Sequence, residues 1–283
     1  MNHNQKQVSG EKSNMLPLHL SNKDHGIVST VFQHSFNIKF PNLLCHVGNI
    51  SESLSATGIT IDDEYMESLL KDVDVGDRVL YTKEQFFIYT NMAIKIISLS
   101  DLVEIDLQLP KITFDRISLE QIIDVFKVIN FAEDWGLGNQ YTPQKVVDMI
   151  RLSQSTAEQT KTLNFLYGRG RGLTPSGDDI MVGNLSILTA ARYPQLTTWQ
   201  NSVRHRLQLG GTTDVSESYI NATLEGYTSK KMVAFLKVLQ VGEIAQLQPA
   251  MLAIQDFGHT SGTDTLLGMY AAFTILQNLH SNL

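Results

Sequence analysis

The sequence predicts an α+β protein, with a β-rich N-terminal domain followed by an all-α C-terminal domain. Three observations carry this. From His25 to about Leu109 the chain is made of short segments rich in β-branched and aromatic residues. After Pro110 the apolar residues recur at helical spacing. The helical region also contains a duplicated motif, SGDDIMVG at Ser176 to Gly183 and SGTDTLLG at Ser261 to Gly268.

In chain order, residues 1–22 are polar and weakly patterned and are expected to form a flexible tail. Residues 23–112 form the expected β-rich domain, a sandwich or a barrel. Its strands are GIVSTVFQHSFNIKF, NLLCHVG, DRVLYT, QFFIYT, AIKIIS and VEIDLQL, punctuated by turn residues such as Gly58, Gly76 and Asn91. A short helix over Asp63 to Lys71 interrupts them. Residues 113–283 form the expected helical domain. LEQIIDVFKVINFAEDWG (119–136) has a helical apolar face, and Thr142 with Pro143 is a start signal for the helix over 142–152. Later helices stop at Gly168, Pro194, Gly226 and Gly258.

Composition narrows the class. Over 283 residues, 42% hydrophobic and 18% charged content is that of a globular chain with ample material for a core. A net charge of −7, with scattered basic residues, argues against nucleic acid or an anionic membrane as partner. The longest apolar stretch, Thr265 to Leu276, is well short of the roughly 20 residues that span a bilayer. The N-terminal run MNHNQKQVSGEKSN has no apolar signal region. The single cysteine, Cys45, rules out an intramolecular disulfide and fits a cytoplasmic location.

The two motif copies align without a gap, Ser176 over Ser261, Gly177 over Gly262, Asp179 over Asp264 and Gly183 over Gly268. Each follows an apolar helical stretch that stops at a glycine, so the repeating unit reads as helix, polar turn, helix. In one reading each Ser is an N-cap and each Asp, three residues on, completes the cap. In the first copy Thr174 followed by Pro175 is an equally good start. Either way a helix opens within residues 174–178. An interior glycine weakens a helix by roughly 1 kcal/mol relative to alanine. Gly183 and Gly268 at one offset therefore predict that the two helices cross there, bringing both polar turns together.

Two helix N-termini supply about +1 charge in effect, against three carboxylates, Asp178, Asp179 and Asp264. Arg169 and Arg171, in the run GRGRG (168–172), or a divalent cation such as Mg²⁺ would balance them. Such a place suits a small polar ligand with amide and anionic groups. GRGRG is not a dinucleotide fingerprint, because a helix precedes it and the spacing is G-x-G-x-G. The N–H groups of Gly170 and Gly172 can still cradle an oxygen anion. The stretch GGTTDVSESY (210–219) holds Asp214-x-x-Glu217 and reads by itself as another capped helix. His259, inside the second motif, is a candidate acid/base or an orienter of a carboxylate, and equally a capping or packing residue. Cys45 and His46 are neighbours on a strand, point to opposite faces and make no nucleophile–base dyad. His205, between Arg204 and Arg206, is expected on a solvated helix face.

GRGRGLTPSGDDIMVG (168–183), TTDVSESY (212–219) and GHTSGTDTLLG (258–268), in that order, resemble the AllH-like family. The resemblance covers most of the chain and is strongest from about residue 160. It departs from the family's usual pattern at Arg169, where a hydrophobic residue is usual. It implies a subunit of oxamate carbamoyltransferase, working with other subunits in purine and allantoin nitrogen catabolism and linking oxalurate and phosphate to oxamate and carbamoyl phosphate. On that basis the expected catalytic residues are Asp178, Asp179, Asp264 and His259. The expected substrate-binding set is Arg169, Gly170, Arg171, Gly172, Thr174, Ser176, Gly177, Thr212, Thr213, Ser216, Thr260, Ser261 and Gly262. Two other readings stay open at this level. Three carboxylates with Thr174, Ser176 and Thr263 are hard oxygen ligands suited to an Mg²⁺-dependent hydrolase, analogous to ADP-ribosyl hydrolases. A non-catalytic subunit that binds a metabolite and holds a partner is the third.

Overall fold

The alternation of Phe36, Ile38 and Phe40 buries one side of a strand, and in the computed structural model this pattern builds a curled nine-stranded sheet. The structure describes residues 9–138, 140–256 and 258–281. By its internal contacts the chain divides into two units, Met1–Leu107 and Gln108–Leu283.

The first unit comprises β1 (Gly10–Ser13), α1 (Leu16–His19), β2 (Asp24–Val31), β3 (Ser35–Phe40), β4 (Leu43–Asn49), β5 (Gly58–Ile61), α2 (Asp63–Leu70), β6 (Arg78–Thr82), β7 (Gln85–Tyr89), β8 (Ile94–Ser98) and β9 (Val103–Ile105). The strand order is β8-β7-β6-β2-β3-β4-β5-β1-β9. Most pairings are antiparallel; β4 with β5 and β1 with β9 are parallel. The described residues form neither a two-sheet sandwich nor a closed barrel, since their one sheet ends at β8 and β9. Asp62 caps α2 by accepting from the Tyr65 N–H at 2.9 Å, and Met66 and Leu69 of that helix join the sheet's apolar core.

The expected tail over residues 1–22 is corrected. Residues 1–8 lie outside the described residues, but Gly10–Ser13 form a strand of the sheet and Leu16–His19 a helical turn. β1 is hydrogen-bonded between β5 and β9, and Met15 and Leu16 are buried. The polar composition concealed this because a four-residue strand paired on both sides needs little apolar surface of its own.

The second unit is helical: α3 (Leu119–Phe126), α4 (Phe131–Asp134), α5 (Pro143–Arg151), α6 (Thr156–Leu166), α7 (Ser176–Ala190), α8 (Leu196–Gln208), α9 (Asp214–Leu224), α10 (Lys230–Val241), α11 (Ile244–Gln255) and α12 (Ser261–Ser281). The start of α5 is as expected, with Thr142 accepting from Lys145 N–H and Pro143 in the first turn. The helix expected over 119–136 is instead broken after Phe126. The chain forms only the single turn α4 before Trp135 is buried. The β-branched Val128 and Ile129 and then Asn130 are poor continuers, and the break delivers Gly136 to Asp264 in the first turn of α12. Helices α7 and α12 are the central pair. α7 is buried on nearly every side, as expected for a helix without a polar face.

The crossing predicted from the repeated glycines is present. A Cβ on Gly183 would overlap the Thr265 carbonyl oxygen and come within 3.2 Å of the Met269 nitrogen. One on Gly268 would overlap the Ile180 carbonyl oxygen and come within 2.9 Å of the Asn184 nitrogen. A second pair of repeated glycines does a related job. Gly177 lies on the Leu166 carbonyl at the end of α6, and Gly262 on the Ile254 and Gln255 carbonyls at the end of α11. Both copies thus pack a preceding helix end onto the start of the next.

Candidate functional site

The crossing of α7 and α12 sets their N-terminal turns side by side, and the hydroxyls of Thr174 and Ser261 meet there at 2.7 Å. The capping reading of the motif does not hold. α7 begins at Ser176, with Pro175 in the cap position and no side-chain cap bond, and α12 begins at Ser261. Both serines are therefore first helical residues, and Asp179 and Asp264 are the fourth, still in the first turn but one place past the N3 position of a capping box.

The three carboxyl groups are buried, and each has different neighbours. Asp178 accepts from the Gly168 N–H at 2.8 Å and from the Thr212 hydroxyl. Burial pushes its pKa above the usual carboxylate range, opposed first by Thr212 and then by Gly168. Asp264 accepts from the Gly136 N–H, at 3.1 Å to Oδ1 and 3.3 Å to Oδ2. Burial raises it to about 6, opposed by Gly136, Ser176 and Thr260. Asp179 is raised furthest. Burial is again the main cause, with the Asp264 and Asp178 charges adding to it and the hydroxyls of Ser261 and Thr174 opposing it. Its Oδ2 is buried with no hydrogen-bond partner among the described residues.

The duplicated motif is thus used reciprocally. The Asp of the first copy has the Ser of the second beside it, and the Asp of the second has the Ser of the first. Ser176, Thr260 and Gly136 close around Asp264: a Cβ on Gly136 would overlap the Ser176 hydroxyl and lie 2.8 Å from the Thr260 hydroxyl.

The arginines are arranged differently from the expectation. Arg169 donates through Nε to the Phe165 carbonyl, and its guanidinium stacks 4.4 Å from the centre of the Phe165 ring and 5.7 Å from that of Tyr141. It is held on its own helix end. Arg171 is exposed in the loop. The cation that acts on Asp178 is Arg206, which stacks 4.1 Å above the Tyr167 ring and donates to the Gly210 carbonyl at 2.7 Å. Burial thus raises the pKa of all three carboxyl groups, and Arg206 opposes it at Asp178. Gly168, Gly170 and Gly172 have φ of 68°, 129° and 88°, the left-handed alternation that turns GRGRG back over the start of α7.

Among the other expected residues, Thr213 turns out to be structural. Its hydroxyl caps α9 by accepting from Ser216 N–H at 3.1 Å and donates to the Leu173 carbonyl, so the cap of this helix is Thr213 rather than Asp214. Ser216 is buried beside Asp178. His259 is exposed in the turn before α12, and His205 is exposed as expected. Among the described residues no group of three His, Cys, Asp or Glu side chains is arranged to hold a metal ion. Asp178 and Asp264 have separate hydrogen-bond partners, Gly168 with Thr212 for Asp178 and Gly136 for Asp264.

Gly136 and Arg206 were not legible as site residues. Gly136 sat inside an apparent helix, and Arg206 in a basic cluster that reads as solvated.

Residues 166–273 match the family model described as AllH, oxamate carbamoyltransferase subunit AllH. The match takes in all of α7 and α9, both copies of the motif and the crossing glycines, in agreement with the resemblance read from the motifs. It does not extend to the strand-rich unit. No solved structure matches the chain. Among the described residues no helix is long and apolar enough to cross a membrane.

Proposed function

We propose that this chain is a subunit of an oxamate carbamoyltransferase, exchanging a carbamoyl group between oxamate and phosphate in purine and allantoin nitrogen catabolism, in the cytoplasm and together with other subunits. The observation that carries the reading is that the family match falls on the segment whose two polar turns converge. Two helix N-termini and the backbone N–H groups of Gly170 and Gly172 suit the anionic ends of oxalurate and phosphate. Carboxyl groups suit the amide N–H groups between those ends. The reaction requires no nucleophilic Ser or Cys, since carbamoyl transfer can proceed by positioning and charge stabilisation. We likewise take the two units as separate domains, with the substrate on the helical one.

The test is to purify the chain with its partner subunits, supply oxalurate and phosphate, and assay carbamoyl phosphate. Formation of carbamoyl phosphate that stops when this chain is omitted is expected. No product from the intact complex would refute the assignment, and full activity without this chain would leave it a scaffold or regulator.

A further inference from the structure

We propose that Asp179 is the proton donor to the leaving nitrogen in this reaction and that Asp264 is the fixed carboxylate that keeps that proton in place. The inference rests on the carbamoyl-transfer reading and deepens it.

The geometry assigns the two carboxyls opposite roles although the motif repeats. Asp264 is an acceptor that already has its donor, since the Gly136 N–H binds both of its oxygens. Asp179 occupies the equivalent place in the other copy, but its Oδ2 is buried without a hydrogen-bond partner among the described residues. A buried polar atom left open beside two helix starts is where a ligand group belongs. The charged or titratable groups acting on Asp179 are Asp264 from α12 and Asp178 from its own helix, both acidic, and both favour its neutral, proton-bearing form. One acid and one carboxylate held apart in this way form the arrangement that divides proton donor from charge stabiliser.

In the transfer step a phosphate oxygen forms a bond to the carbamoyl carbon of oxalurate, and the bond from that carbon to the oxamate nitrogen breaks, its electron pair going to nitrogen. An amide anion is too poor a leaving group to depart unaided, so the Asp179 proton passes to nitrogen and oxamate leaves as a neutral amide. The hydroxyl proton of hydrogen phosphate, lost as carbamoyl phosphate forms, returns to Asp179. In the reverse direction the Asp179 carboxylate takes the proton from oxamate.

The experiment uses the intact complex with oxalurate and phosphate as substrates. General acids contribute on the order of 100-fold or more to such steps. Asp179→Asn should therefore lower kcat at least about 100-fold, with oxamate binding by calorimetry and the melting temperature close to wild type. Its residual rate should lose the decline at alkaline pH that wild type shows as the acid ionises. Asp264→Asn supplies the independent check. With that charge removed Asp179 ionises more readily, so the alkaline limb of kcat should move to lower pH. A kcat for Asp179→Asn within threefold of wild type would overturn the proposal while leaving the function intact. Loss of oxamate binding in that variant, or an alkaline limb unmoved by Asp264→Asn, would overturn it as well. A wild-type complex that makes no carbamoyl phosphate would overturn both this and the functional reading.

Discussion

Gly183 of α7 and Gly268 of α12 serve a single helix crossing, each occupying the space beside the other helix's backbone, against the Thr265 and Ile180 carbonyls respectively. No side chain fits between them, and the whole placement of Asp179 and Asp264 depends on this approach. Alanine ordinarily strengthens a helix relative to glycine by up to about 1 kcal/mol. Here the added methyl group would meet backbone that cannot swing aside. Gly183→Ala and Gly268→Ala are each expected to destabilise by about 1–3 kcal/mol or more, and leucine at either position more severely. Urea denaturation of the variants beside wild type is the measurement, and an alanine variant as stable as wild type would show that the helices can move apart at no cost.

The N-terminal strand yields a second expectation. β1 is the strand that joins β9 to the rest of the sheet, and Met15 and Leu16 follow it into the core. Deleting residues 1–20 removes two ladders of hydrogen bonds and the buried side chains of Met15, Leu16 and Leu20, each worth about 1.5–3 kcal/mol of transfer free energy. The melting temperature should fall sharply or soluble protein should be lost. An unchanged melting curve would mean that β9 and β5 hold without it.

Much of this was legible because the signals were local. The strands of residues 24–105 follow from β-branched and aromatic segments between turn residues, and the helix crossing follows from two glycines at one offset. The convergence of Thr174 with Ser261 then came with the crossing. What the sequence concealed was decided by tertiary packing. Whether Ser176 caps a helix or begins one depends on Pro175, whose extended backbone serves as the cap. Arg169 looked available to the carboxylates until its helix end presented Phe165 and, across a loop, Tyr141. Gly136 had no periodic signature at all, because a single backbone N–H aimed at Asp264 leaves no pattern in composition.

Arg206 and Arg169 should therefore separate on mutation. Arg206 stacks on Tyr167, holds the Gly210 carbonyl and favours the charged form of Asp178. Its removal loosens the loop that carries Thr212 to Asp178. Arg206→Ala should cost about 1–2 kcal/mol, the loss of a charge-assisted hydrogen bond together with a partly buried stacking contact. Arg169→Ala, at an exposed site, should cost about 0.5–1 kcal/mol. Chemical denaturation of both variants decides it, and the reverse order would return Arg169 to the centre of the site.

Gly136 and Ser176 should be coupled. A methyl group on Gly136 would overlap the Ser176 hydroxyl and crowd that of Thr260, displacing the N–H that Asp264 accepts. Gly136→Ala should destabilise the protein, and Ser176→Ala should relieve much of the clash when the two are combined. Residues in contact show interaction energies of about 0.5–3 kcal/mol in such cycles. Strict additivity in the four denaturation curves would show that the loop moves as a whole and does not lock onto Asp264.

The raised pKa of Asp264 makes stability depend on pH in a stated direction. Its carboxyl titrates at about 6 in the folded protein against an ordinary value of 3.8, so the fold favours the neutral form. That preference is fully present below 3.8 and is lost as pH rises through about 6. Above that range the ionised side chain weakens the folded state by up to about 3 kcal/mol, from a shift of about two units at 1.36 kcal/mol each. Asparagine keeps the shape of the neutral carboxyl and cannot ionise. The melting temperature of Asp264→Asn should therefore match or fall slightly below wild type near pH 4, then rise relative to it through the range from about 4 to 7, and stay above it at about pH 8. Melting curves of both proteins across that range are the check. A difference that does not change with pH would show that Asp264 ionises at little cost in the folded protein and that burial does not raise its pKa.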